Sequence, residues 1–121
     1  MNAWREGHYL NLDELLRVLE QFVMGFTWKL HPGEIAPGPS AERIESVDPE
    51  ELMNTLDLLR LITPDVQIID GEILGYAHPG QELPAVVLRA VDSTSWDIES
   101  EDEEVLSVIR KVFPDAMDIP E

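Results

Sequence analysis

The sequence predicts an α+β domain over 1–121, with a mainly antiparallel sheet and about three helices packed mostly on one of its faces. Three observations carry this. Apolar residues recur at helical spacing in three stretches, each opened by a capping residue. Apolar and β-branched runs are separated by Gly, Pro and Asp. No strand–helix–strand alternation occurs, which argues against a parallel doubly wound sheet.

The first helix is predicted over 12–24. Asn11 is a candidate N-cap, Glu14 completes a capping-box pattern, and Leu10 and Leu15 sit at the positions of a hydrophobic staple. Leu12, Leu15, Leu16, Leu19, Phe22, Val23 and Phe26 form one stripe, and Gly25 suits the helix end. Phe26, Trp28 and Leu30 alternate with Thr27 and Lys29 as a short strand, which His31-Pro32-Gly33 should break. Residues 35–40 read as a loop, and 41–45 as one helical turn.

The second helix is predicted over 49–62, with Asp48 as N-cap, Pro49 at the first helical position and Glu51 as the capping acid. Leu52, Met53, Leu56, Leu59 and Ile62 would be its buried face. Thr63-Pro64 ends it, because the residue before proline avoids helical geometry. A hairpin is predicted over 66–76, turning at Asp70-Gly71, since Asp-Gly between β-branched runs favours a type I′ turn. Strands follow at 85–91, a nearly continuous apolar run, and at 95–99, where Trp96 and Ile98 alternate with Asp97 and Glu99 as on an edge. The last helix is predicted over 101–113, opened by Ser100 with Glu103 three residues on, and stopped by Pro114. Residues 115–121 read as a loose tail.

Length and composition narrow the function. The chain has 121 residues, 44% hydrophobic, enough for one core. With 25 acids against 8 Lys and Arg, the formal charge is −17, which opposes direct contact with nucleic-acid phosphates or anionic lipid. No apolar run is long enough for a membrane span, and the N-terminus lacks a signal-peptide core, so a cytoplasmic location is expected. Without cysteine there is no disulfide, thiol nucleophile or thiolate site.

Motifs for chemistry are missing. There is no phosphate-binding glycine loop, and Ser40 does not sit in a nucleophile elbow. His8, His31 and His78 have no helical partner at metal-binding spacing; His31 and His78, each followed by Pro-Gly, read as turn residues. The run 99–104 lacks the spacing of a calcium loop. No cofactor, metal site or catalytic residue is therefore assigned, and a non-enzymatic role is expected.

The charge itself is the remaining clue. Residues 1–63 hold 11 acids and 5 bases; residues 64–121 hold 14 acids and 3 bases. Solubility needs a net charge of only about 2–8, and self-repulsion opposes folding. The excess points to a basic protein partner or a very salty environment. Asp92, Trp96, Asp97, Glu99, Glu101, Asp102, Glu103 and Glu104 are the candidate partner-binding residues, with Trp96 as the stacking anchor and the carboxylates as sites for Arg and Lys. Trp4 and Trp28 are expected to be packing residues. In size, acidity and lack of cysteine the chain resembles immunity proteins and antitoxins that neutralise basic toxins, often nucleases. That resemblance implies an inhibitor covering a cationic surface. The alternatives are a DNA mimic directed at a nucleic-acid-binding defence protein, and an accessory domain of a larger assembly that docks through loop 31–40 or a helix face.

Overall fold

The computed structural model describes residues 1, 4–5 and 8–116. Two short strands, β1 (Trp4–Arg5) and β2 (His8–Tyr9), pair antiparallel at the start. Then come α1 (Leu12–Val23), β3 (Thr27–Ile35), α2 (Ala41–Glu45), β4 (Met53–Asn54), α3 (Thr55–Leu61), β5 (Ile68–Tyr76), β6 (Val86–Val91), β7 (Ser95–Ser100) and α4 (Glu103–Val112). The main sheet has five strands in the order β4-β3-β5-β6-β7, all antiparallel. The fold is α+β, as the sequence predicts.

Register decides which side chains share a face, because directly paired antiparallel residues point the same way. Trp28 pairs with Gly75, Leu30 with Ile73, Leu88 with Ile98, and Ala90 with Trp96. These residues, with Val86, form the covered face, and all but the half-buried Ile98 are buried. They share one core with Leu12, Leu15, Leu16 and Leu19 of α1, Leu58 of α3, and Val105 and Ile109 of α4. Burial of each large aliphatic side chain contributes about 1.5–3 kcal/mol. The opposite face carries Lys29, Glu72, Leu74, Tyr76, Arg89, Asp97 and Glu99, and these stay at least partly exposed.

Several boundaries depart from the sequence reading, each for a local reason. Segment 66–76 is not a hairpin: Asp70-Gly71 lies inside the single strand β5. Here β3 and β5 come close across a register shift, and a Cβ on Gly71 would lie 3.0 Å from Pro32 Cα. Gly71 thus serves a close backbone approach. The positive-φ turn forms later, at Asp92 (φ 52°) and Ser93 (φ 58°), closed by Thr94 N–H donating to the Val91 carbonyl at 2.9 Å.

His31-Pro32-Gly33 does not break β3. The strand continues to Ile35, and β4 covers only Thr27 and Trp28. At Pro32, β3 is therefore an edge strand, and the ladder alternation turns the missing N–H outward where it costs no bond.

The second helix is shorter than 49–62. Met53 and Asn54 instead pair with β3, and Asn54 caps α3, its side chain accepting from Asp57 N–H at 2.8 Å. Asp48 caps a turn, accepting from Glu50 N–H at 2.9 Å. Leu52 and Leu56, expected inside, are exposed.

Asn11 is the N-cap of α1 by position, but its side chain makes no cap bond and donates to the Pro64 carbonyl at 2.8 Å. Helix α4 starts at 103, because Asp102 is its cap. Ala116 N–H donates to the Phe113 carbonyl and the residue packs on the core. The rest of the expected tail, 117–121, and the side chains of Trp4 and His8 lie outside the described residues. Among the described residues no helix is long and apolar enough to cross a membrane.

Candidate partner-binding surface

Strand β7 and the start of α4 place most of the sequence-predicted site residues. Asp97 pairs with Arg89 and Glu99 with Val87, so both acids point to the open face of the sheet. Arg89 donates to Glu72 at 2.9 and 3.2 Å and to Glu99 at 3.3 Å. The hydrogen bond that Arg89 donates to Glu72 is the main cause of its raised pKa, with Glu99 adding to it. Arg89 thus stays charged as the local counter-ion of the strip.

Beyond β7 the chain turns into α4 through side-chain bonds. Ser100 Oγ donates to the Ala85 carbonyl at 2.9 Å and accepts from Asp102 N–H at 3.1 Å. Asp102 Oδ1 then accepts from Glu104 N–H at 2.9 Å. A carboxylate here favours the helix start through its dipole. Glu103 lies 3.7 Å from Arg110. Glu101, Asp102, Glu103 and Glu104 are all exposed. Among the described residues, Asp97, Glu101 and Glu104 have no ion pair.

Two predicted site residues do not join them. Trp96 is 1% exposed, and its indole N–H donates to the Leu10 carbonyl at 2.8 Å. It is a core residue and offers no surface for stacking, which corrects the expectation of an aromatic anchor. Asp92 sits in the β6–β7 turn, where its N–H donates to Asp70 Oδ1 at 2.9 Å. That turn lies at the opposite end of β7 from Glu101, roughly 20 Å away at the usual strand rise.

Negative charge is not confined to this strip. Glu42, Glu45, Asp48, Glu50, Glu51 and Asp57 lie around α2, β4 and α3, near the edge of the sheet opposite β7. There, three bases are interleaved: Lys29 lies 3.1 Å from Glu50, Arg60 lies 3.6 Å from Asp57, and Arg43 donates to the Arg60 carbonyl. The Glu50 hydrogen bond is the main cause of a raised Lys29 pKa. Of the two acidic regions, the β7–α4 strip is the more continuous in sequence, with six acids between Asp97 and Glu104, whereas the other is spread from Glu42 to Asp57.

An open groove of about 1110 Å³ runs along β7, lined by the acids and by Leu83, Val87, Ile98 and Leu106. Leu83 is 78% exposed on the loop before β6. The sequence reading did not single out Arg89, Leu83 or this groove. The alternation of 95–99 could have suggested Arg89, but its partners depend on pairing between strands distant in sequence. His31 Nε2 donates to the Pro49 carbonyl at 3.0 Å, while His78 lies in a turn closed by Gln81 beyond the far end of β5. Comparison with protein-family models, with curated proteins and with solved structures finds no match.

Proposed function

We propose that this chain is a non-catalytic, acidic protein-binding inhibitor of the immunity-protein or antitoxin type, which covers the cationic surface of a basic partner. The observation that supports this most is the strip of six carboxylates at Asp97, Glu99 and 101–104, which among the described residues is ion-paired at Glu99 by Arg89 and at Glu103 by Arg110. Such a strip raises the local concentration of a cationic partner and speeds encounter. It competes for the Arg and Lys side chains that would otherwise bind nucleic-acid phosphates. The role is limited to binding, and no step of chemistry is assigned to these carboxylates.

The test is capture of a basic protein on the immobilised chain, repeated at rising salt. The proposal expects a single basic partner that elutes between about 0.1 and 0.5 M salt, as the Debye length falls from about 10 Å towards 4 Å. Retention indifferent to salt would contradict it. That outcome would favour an accessory-domain role, for which Leu52 and Leu56, 55% and 50% exposed beside β4, supply an apolar contact.

A further inference from the structure

We propose that the outer edge of β7, at Ile98 and Ser100, receives an extended basic segment of the partner as an added strand. This inference rests on the acidic-inhibitor reading and specifies how the partner sits. The ladder fixes which backbone groups are involved. Trp96 N–H donates to the Met1 carbonyl at 2.9 Å, and the Met1 amino group donates to the Trp96 carbonyl at 3.0 Å. Trp96 therefore turns its backbone away from β6, and the alternation of an antiparallel ladder turns Ile98 and Ser100 the same way. Met1 already pairs with this edge at Trp96. Ile98 has Leu88 of β6 as its ladder partner on the inner side, and among the described residues none pairs with it on the outer side.

The side chains select the occupant. A residue paired with Ile98 would direct its side chain to the covered face of the sheet, beside Leu106, where the groove is apolar. Its neighbours along the added strand would direct theirs to the open face, beside Asp97 and Glu99. An alternating apolar–basic segment meets both demands. A second copy of this chain does not, because antiparallel pairing of two β7 edges about Ile98 would set Asp97 opposite Glu99 of the other copy, and like charges across a ladder destabilise it. Strand addition of this kind takes affinity from main-chain bonds and selectivity from alternate side chains.

The experiment uses the full chain and two synthetic probes. One is a blocked heptapeptide of alternating lysine and valine with lysine at both ends. The other is identical except that each valine amide is N-methylated, which keeps charge and side chains but removes the edge donors. The proposal expects the first peptide to slow amide hydrogen exchange at Ile98 and Ser100 at least ten-fold, and the methylated peptide to bind at least ten-fold more weakly. Equal binding of both, with no protection at Ile98 and Ser100, overturns the strand-addition proposal and leaves the acidic-surface reading standing. If neither peptide shifts the carboxylate resonances of Asp97, Glu99 and Glu101, both fall.

Discussion

Replacing Gly75 by alanine tests whether the covered face of the sheet is packed as described. A Cβ at this position would lie 2.7, 2.9 and 3.0 Å from three ring atoms of Trp28. Carbon atoms in contact normally sit about 3.5–4.0 Å apart, so the ring or the strand must move. The ring has little freedom. Trp28 is fully buried, its indole N–H donates to Thr55 Oγ1 at 2.9 Å, and Thr55 Oγ1 donates in turn to the Val23 carbonyl at 2.6 Å. Overpacking a tight core costs about 1–3 kcal/mol. Displacing the indole from Thr55 adds about 1 kcal/mol, while relief of glycine's backbone entropy returns about 0.5–1 kcal/mol. The expected net loss is about 1–3.5 kcal/mol, read as a lower urea midpoint at unchanged m. Gly25→Ala is the control, because nothing lies within 4 Å of a Cβ there. A Gly75→Ala midpoint within about 0.5 kcal/mol of the parent would refute the seating of Trp28 on Gly75, given the usual scatter of harmless substitutions.

Two further substitutions probe buried polar groups. Thr55→Val leaves the Trp28 indole without its acceptor and the Val23 carbonyl without this donor; a loss of about 2 kcal/mol is expected in the same assay. Asp13 is 8% exposed, one of its carboxylate oxygens has no hydrogen-bond partner, and burial raises its pKa. Its folded-state pKa is above the unfolded value, so the folded state holds the proton more tightly and the charged form costs stability at neutral pH. Asp13→Asn should therefore stabilise by about 1 kcal/mol at pH 7, after the favourable helix-dipole contribution is offset. The gain should shrink as pH falls towards the ordinary aspartate range, and a gain that grows in acid would contradict the desolvation argument.

The sequence was most legible where local signals agree with what the core requires. The stripe of α1, the strands at 86–91 and 95–100 and the last helix all combine periodicity with burial on one side. It was least legible where pairing between distant segments overrides a local signal. Asp70-Gly71 has the composition of a turn, yet β3 and β6 flank it and hold it extended. Asp48-Pro49 looks like a helix start, but pairing of Met53 with Trp28 postpones the helix to Thr55. The candidate site shows the same division. The acids at 97–104 are plain in the sequence, and alternation alone puts Asp97 and Glu99 on the side opposite Trp96. The Leu10 carbonyl that seats the Trp96 indole lies 86 positions away in the chain and left no local trace.

The proposed function requires the β7–α4 carboxylates, rather than overall acidity, to recognise the basic partner. Two triple variants of equal charge change separate the two. One neutralises Asp97, Glu101 and Glu104; the other neutralises Glu42, Glu45 and Asp57 near the edge of the sheet opposite β7. With the captured partner purified, association rates measured by stopped flow at low salt should fall about ten-fold for the first variant and less than about two-fold for the second. The difference should vanish near 1 M salt, where the Debye length is about 3 Å. Equal slowing by both variants, or none by the first, would contradict the account.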